Sequence, residues 1–221
     1  MGTQTADLTV AVQDYLKAIY ALESAGERAT TSALAARMGV SAPSATAMTK
    51  RLAELDLVER APYRGVVLTD EGRLRALEVL RHHRLLELYL VNRLGLSLDE
   101  VHAEAELLEH ALSEELEAKI DAELGFPTHD PHGDPIPDRE LRLTAGGSRT
   151  LIDLVPGEHA SVSRVPDGDP ELLRYLAELD LVPGSDAELV SHAPFEGPVR
   201  VRTATGEHAI SRELADRITV S

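Results

Sequence analysis

The residues best suited to chemistry lie in one short run from His102 to His110, which reads HAEAELLEH. His102 and Glu106 are four residues apart, as are Glu106 and His110, and Glu109 lies beside them. Residues three and four apart share a helix face, so the run predicts a stripe of imidazoles and carboxylates. Two carboxylates on one face repel each other unless a cation or protons neutralise them. The run therefore indicates a divalent-cation site.

A second pair with the same spacing lies upstream, at His83 and Glu87. Two facing helices of this kind could surround one or two cations. Imidazole with several carboxylates and no sulfur suits Mn²⁺ or Fe²⁺, although Zn²⁺, Co²⁺ and Ni²⁺ would also bind in vitro. A solvated helix face is the simpler interpretation for the neighbouring acids Glu104, Glu114, Glu115 and Glu117.

Composition limits the class of protein. The 221 residues include no cysteine, which excludes disulfides, thiolate metal sites and cysteine nucleophiles. No signal-peptide core is present and no apolar run approaches about 18 residues, so we expect a cytoplasmic protein without a membrane partner. The net charge is −16, yet residues 1–75 hold nine basic and nine acidic side chains. The neutral amino-terminal third leaves DNA binding open.

The elements that must position these residues begin with a predicted DNA-binding module. Apolar spacing predicts a helix over residues 8–23, a second from Thr31 to the Gly39 stop, and a third to about Leu55. Residues 57–68 predict a β-hairpin wing. Helix, glycine-containing turn, helix and wing are the order of a winged helix-turn-helix. Small polar side chains on the third helix suit the major groove, and basic ones suit phosphates. The predicted DNA-binding residues are Ser41, Pro43, Ser44, Thr46, Thr49, Lys50, Arg51, Arg60, Tyr63 and Arg64.

The remainder divides at a proline-rich segment. Residues 70–93 predict a long helix, and at least one more follows from Leu98 to about Leu124, with leucines suited to dimerisation. Residues 125–138 cannot continue a helix because they contain four prolines. Beyond Leu141 short alternating runs and one helix predict a small β-barrel. The expected domains are 1–75 for DNA binding, 76–140 for metal binding and dimerisation, and 141–221 for the barrel.

The winged helix, RHHRLLELYL, EVHAEAELLEH and HDPHGDPIP together resemble the diphtheria-toxin-repressor family of metal-dependent transcriptional regulators. The resemblance covers nearly the whole chain and implies a mainly α fold with a carboxy-terminal SH3-like (FeoA-like) β-barrel. It implies a repressor that binds double-stranded operator DNA as a homodimer when loaded with metal, and so controls metal-homeostasis genes.

The resemblance also implies a ligand set. The primary site matches Asp14, Glu106, Glu109 and His110, and the ancillary site matches His83, Glu87 and His102. Iron-sensing members carry Met and Cys where this chain has Asp14 and Glu106, whereas manganese-sensing members carry carboxylates. The implied cofactor is therefore Mn²⁺, alternatively Fe²⁺, with two ions per subunit.

The chain departs from the family in three places. Lys17 replaces a carboxylate of one manganese-regulator branch, which puts that branch's two-metal geometry in doubt. The two barrel positions that reach the ancillary site correspond to Arg164 and Asp167, so only Asp167 can be a ligand. Ala47 replaces a common Gln in the recognition helix, so the operator sequence cannot be carried over.

Two other functions fit parts of the sequence. A metal-dependent hydrolase is disfavoured because no HExxH motif occurs, and Glu106 to His110 is one residue longer than Glu-x-x-His. A winged-helix regulator that senses an organic ligand would leave the His/Glu set solvated. At 3% aromatic residues, an aromatic-lined pocket is not expected. We therefore expect a regulator and not an enzyme.

Overall fold

A computed structural model describes residues 8–61, 65–144 and 149–221. The chain divides into two compact units, one comprising residues up to 82 together with 137–142, and the other comprising 83–136 and 143–221. The boundary falls within a single long helix, α4 (Asp70–Tyr89). The domain limits predicted at residues 75 and 140 remain predictions.

The first unit contains three helices, a two-stranded hairpin and the beginning of α4. Thr30 begins the second helix, since its hydroxyl accepts a hydrogen bond from the Ala33 N–H at 3.1 Å. Ser41 begins the third in the same way, accepting from the Ser44 N–H at 3.3 Å. The elements are α1 (Val10–Ser24), α2 (Thr31–Arg37), α3 (Ala42–Glu54), β1 (Val58–Ala61), β2 (Gly65–Leu68) and α4 (Asp70–Tyr89).

One apolar cluster holds this unit together. Leu16 and Ile19 of α1, Leu34 of α2 and Leu52 of α3 are fully buried in it, and Val66 of the hairpin joins them. The helical periodicity of the sequence places these side chains on inward faces. The antiparallel β1–β2 pair confirms the predicted wing.

The second unit begins with the end of α4 and continues through a π-helical turn (Leu90–Leu94), α5 (Leu98–Leu108), a 3₁₀ turn (Glu109–Ala111) and α6 (Glu114–Glu123). Gly95 follows the π-helical turn in the left-handed region, with φ +75°. Ser113 caps α6 by accepting from the Leu116 N–H at 3.3 Å. A small apolar cluster joins these helices to the proline-rich segment: Leu85, Leu86, Ala105, Ile120 and Ile136.

The carboxy-terminal part of the second unit consists of a 3₁₀ turn (Leu151–Asp153), β3 (Glu158–Arg164), α7 (Pro170–Glu178), β4 (Asp186–His192), β5 (Val199–Thr203), β6 (Gly206–Ile210), α8 (Arg212–Arg217) and β7 (Thr219–Val220). Its five strands form an antiparallel sheet in the order β6-β5-β4-β3-β7. The predicted fold class, mainly α with a carboxy-terminal β domain, is confirmed. The sequence did not predict α8. This helix follows β6 directly, and Ser211 caps its beginning because the Ser211 hydroxyl accepts a hydrogen bond from the Leu214 N–H at 3.1 Å.

Candidate metal centre

His83 lies at the centre of a buried network of imidazoles and carboxylates. Its Nδ1 is 2.5 Å from Oε2 of Glu109, and its Nε2 is 2.9 Å from Oε1 of Glu87. Both carboxylates are almost inaccessible to solvent, with exposed fractions of 0% for Glu87 and 1% for Glu109. Burying two carboxylates is costly unless protons, partners or a cation compensate their charge.

His102 and Glu106 of α5 extend the network from the opposite helix. His102 Nδ1 is 3.1 Å from both His83 Nε2 and Glu87 Oε1, and its Nε2 is 3.8 Å from Glu106 Oε1. His83, His102 and Glu106 offer donor atoms that all lie within 4.8 Å of one another. The structure thus groups Glu106 with the two imidazoles, whereas the family resemblance assigns it to the primary site.

Glu109 and His110 lie in the 3₁₀ turn that follows α5. His110 Nε2 is 3.4 Å from Glu109 Oε1, while the other Glu109 oxygen faces His83. Glu109 therefore connects the His110 pair to the His83 network, and it offers one oxygen to each.

The structure adds two residues that the sequence analysis did not select, Asp130 and His132 of the proline-rich segment. With Glu87 they form a second group of donor atoms within 4.8 Å of one another, and all three side chains are buried. Within the described residues, Glu87 Oε2 and His132 Nδ1 have no hydrogen-bond partner and face each other at 3.5 Å. A buried carboxylate oxygen and a buried imidazole nitrogen without hydrogen bonds are suitable ligand atoms for a divalent cation.

Electrostatics in this group favour charged Glu87 and protonated His132. Burial alone would raise the pKa of Glu87, but the imidazoles of His102, His132 and His83 outweigh it and hold that pKa well below its usual range. Burial would lower the pKa of His132, but the Glu87 carboxylate raises it to about 9. Burial and the charges of Asp134 and Glu87 raise the pKa of Asp130 to about 7. Protons thus compensate charge where a cation would otherwise do so.

The short segment Asp130–Asp134 carries a recognisable signal. It alternates Asp, His and Asp at positions 130, 132 and 134 beside two prolines and a glycine. From the sequence alone, the prolines predict the end of a helix and HDPHGDPIP contributes to the family resemblance, but neither observation selects Asp130 or His132 as a ligand. This pattern of three potential metal ligands within a turn made rigid by proline could have identified the segment as a candidate metal-binding site.

The remaining predicted ligands are Asp14 and Asp167. Asp14 is half-buried on α1 of the first unit. Asp167 is exposed between β3 and α7, outside the two groups described above. Their roles as ligands remain predictions.

Most predicted DNA-binding residues form an exposed surface. Ser41, Pro43, Ser44, Thr46, Lys50 and Arg51 of α3 are exposed, as is Arg60 of β1. Thr49 instead lies on the buried face of α3, and its hydroxyl donates to the Thr46 carbonyl at 3.0 Å. Tyr63 and Arg64 lie outside the described residues.

Three family models match consecutive parts of the chain. They are the iron-dependent repressor amino-terminal DNA-binding domain over residues 7–66, the iron-dependent repressor metal-binding and dimerisation domain over 69–138, and the FeoA domain over 149–221. The iron-dependent repressor IdeR of Mycobacterium tuberculosis is 38% identical to the chain, and the match covers 97% of this chain and 98% of that protein. The chain belongs to the iron-dependent repressor family.

Solved structures of similar proteins agree with this membership. A manganese-dependent transcriptional repressor in complex with manganese is 41% identical with a TM-score of 0.85, covering 95% of this chain and 98% of that one. The manganese regulator SloR is 32% identical with a TM-score of 0.78, covering 95% and 97%. As a member of the iron-dependent repressor family, the chain is a metal-dependent transcriptional repressor and not an enzyme. None of its described helices combines the length and apolarity needed to cross a lipid bilayer.

Proposed function

We propose that this repressor binds operator DNA as a homodimer when it holds Mn²⁺, with two ions per subunit, and thereby controls metal-homeostasis genes. The observation that carries the proposal is the pair of buried carboxylates, Glu87 and Glu109, surrounded by imidazoles. Because the donors are oxygen and nitrogen without sulfur, Mn²⁺ is favoured over softer ions, with Fe²⁺ as the alternative. Operator DNA as the partner implies that the protein acts in the cytoplasm.

Two positions would hold the ions. One uses Glu109 and His110 of the second unit, completed by Asp14 of the first, as the sequence resemblance implies. The other is built on Glu87, whose Oε1 faces His83 and whose Oε2 faces His132. The cation supplies the positive charge that allows these carboxylates to share a site. Glu106 is proposed as a further ligand at the first position, and Asp167 as a further ligand at the second.

Asp14 would link metal binding to DNA binding because it belongs to the first unit, which carries α3 and the wing. Without a cation, carboxylate repulsion separates Asp14 from Glu109. With it, the two α3 helices of a dimer are fixed at the spacing of operator half-sites, about 34 Å or a multiple of it. A coupling free energy of ~1–3 kcal/mol would change operator affinity about 5- to 150-fold.

Dimerisation is proposed through exposed leucines of the second unit. Leu107 and Leu108 on α5, Leu116 on α6 and Leu94 on the π-helical turn are all exposed. A second copy of this chain would bury such side chains, and two-fold symmetry matches a palindromic operator.

The test is operator binding in the presence of Mn²⁺, Fe²⁺, Zn²⁺ or a chelator, paired with measured metal content. Mn²⁺ should strengthen binding about 5- to 150-fold relative to chelator, and Asp14→Asn should remove most of that gain. Glu104→Gln is the matched control, since Glu104 is an exposed acid of α5. Equal operator affinity after complete removal of metal would refute the proposal.

A further inference from the structure

Asp134, in the turn that carries His132, is held by arginines from two different elements. Its Oδ1 is 2.9 Å from Nε of Arg164, at the end of β3, and 3.3 Å from Nη2 of Arg84, on α4. The Asp134 side chain is 9% exposed, so these ion pairs are partly shielded from water and are stronger than surface pairs. The turn is therefore attached to both the helices and the sheet of the second unit.

The backbone of the turn is fitted to the end of β3. The Val165 N–H donates to the His132 carbonyl at 2.9 Å. Gly133 has φ +91°, and a Cβ there would lie 2.0 Å from the Ser163 carbonyl oxygen. Only glycine permits this close approach. The position of the turn thus depends on the carboxy-terminal sheet.

The same turn fixes the direction of His132. The Asp130 carboxylate accepts the His132 and Asp134 N–H groups, each at 2.9 Å, which closes the turn on itself. His132 Nε2 lies 3.1 Å from the Leu98 carbonyl, which leaves Nδ1 facing Glu87. A hydrogen bond to one ring nitrogen determines which nitrogen is available to a metal.

We propose that Arg164 is a positioning residue for metal binding: through Asp134 it holds His132 toward Glu87, so β3 influences the metal affinity of the Glu87–Asp130–His132 group through a side chain that is not itself a ligand. A guanidinium remains protonated and cannot ligate a cation. The inference rests on the proposed function, because it concerns the affinity of one of the proposed metal positions.

The ion pair suits this role because its loss would leave the turn intact but less constrained. Without Arg164, Asp134 keeps Arg84 as its partner, and the backbone bond from Val165 remains. His132 would then sample orientations that do not face Glu87. Loss of a group that orients a metal ligand typically lowers metal affinity about 10- to 100-fold.

The experiment compares Arg164→Ala, Arg164→Lys and Arg174→Ala in full-length protein. Arg174 is the matched control: it also joins the sheet part to the helices, through Asp99 at 3.0 Å, but its ion pair includes no residue of the turn 130–134. All are made in a His110→Ala background so that the other metal position contributes little. Mn²⁺ binding is measured by equilibrium dialysis with metal analysis.

Arg164→Ala should weaken Mn²⁺ binding about 10- to 100-fold, Arg164→Lys should recover part of it, and Arg174→Ala should stay within about twofold of the parent. Asp134→Asn should weaken binding similarly, and the double variant with Arg164→Ala should lose little more, as expected for one shared interaction. Circular dichroism in EDTA checks that each variant is folded.

Unchanged affinity in Arg164→Ala, or equal loss in Arg174→Ala, would overturn the inference while leaving the proposed function standing. If the wild-type protein, without the His110→Ala change, binds no Mn²⁺, the proposed function and the inference fail together.

Discussion

The first unit and the helical part of the second unit bury different kinds of side chain. The core of the first unit is apolar, formed by residues such as Leu16, Leu34 and Leu52. The helical part of the second unit, residues 83–136, buries Glu87, Glu109, Asp130, His132 and Asp134 beside a much smaller apolar cluster, whereas the sheet part has an apolar core of its own. Apolar burial stabilises a fold by itself, whereas buried charge costs free energy unless it is compensated.

This difference indicates that the helical part of the second unit is sensitive to protons and cations in its surroundings. In the absence of a cation, the raised pKa values of His132 and Asp130 keep protons beside the buried Glu87 carboxylate. A divalent cation would replace those protons, because metal ligands must be deprotonated. Among the described residues of the first unit no carboxylate is buried, so the core of this DNA-reading module does not need a cation to compensate buried negative charge.

The largest expected effect comes from the carboxylate shared by both halves of the buried network. Glu87→Gln keeps the shape of the side chain but removes the charge that faces three imidazoles. Since loss of an orienting group alone costs about 10- to 100-fold in metal affinity, loss of Glu87 should weaken Mn²⁺ binding more than about 100-fold at this position. Isothermal titration calorimetry with Mn²⁺ measures both affinity and stoichiometry.

Leu16→Ala is the contrasting variant in the first unit. It should lower the free energy of unfolding by about 2–5 kcal/mol, by the same amount in EDTA and in Mn²⁺, and leave Mn²⁺ affinity nearly unchanged. If Glu87→Gln bound Mn²⁺ normally, or if Leu16→Ala weakened it as strongly, the contrast between the two cores would be wrong.

The sequence predicts the first unit better than the second for the same physical reason. Helical periodicity, caps at Thr30 and Ser41, and the hairpin pattern are local signals, and the structure contains each of them. His83, Glu87, His102 and Glu106 were also found from spacing along helices.

Asp130 and His132 were missed because their proximity to Glu87 depends on how the proline-rich turn packs. These residues lie more than 40 positions after Glu87 in the sequence, so no local pattern connects them. Thr49 shows the opposite case, a residue that was selected for DNA binding but is not exposed. Its residue type suits contact with DNA, but its position along α3 places it on the buried face of the helix. Residue type and spacing indicate candidates, whereas long-range packing determines which atoms meet.

The next effect is a dependence of metal affinity on pH. His132 has a pKa of about 9 against 6.5 when unperturbed, and Asp130 one of about 7 against 3.8. Because the folded pKa values are raised, both groups favour the folded, metal-free protein at low pH, and that contribution is lost as pH rises through about 7 and then 9. Mn²⁺ competes with the same protons, so its affinity should rise with pH over that interval.

Release of one proton per ion corresponds to about a tenfold gain in affinity per pH unit. Anaerobic titrations at pH 6.5, 7.5 and 8.5 would measure it, and chemical unfolding in EDTA should show stability falling over the same range. His132→Gln should flatten the upper part of the dependence. An affinity that does not change between these pH values would show that the buried groups do not exchange protons for metal.

The smallest effect concerns the exposed surface of the first unit, where charge acts without burial. Lys50 on α3 lies 3.9 Å from Glu54, and both side chains are largely exposed. Such a pair stabilises the fold by less than about 1 kcal/mol, so Lys50→Ala should leave the unfolding free energy nearly unchanged. If Lys50 contacts a phosphate, the variant should reduce the slope of log affinity for operator against log salt by about 0.9.

Lys119→Ala is the matched control, because Lys119 forms an equally exposed pair with Glu115 on α6 of the other unit. Its salt slope should equal that of the parent protein, and a slope change in Lys119→Ala but not in Lys50→Ala would move the DNA surface from the first unit to the second.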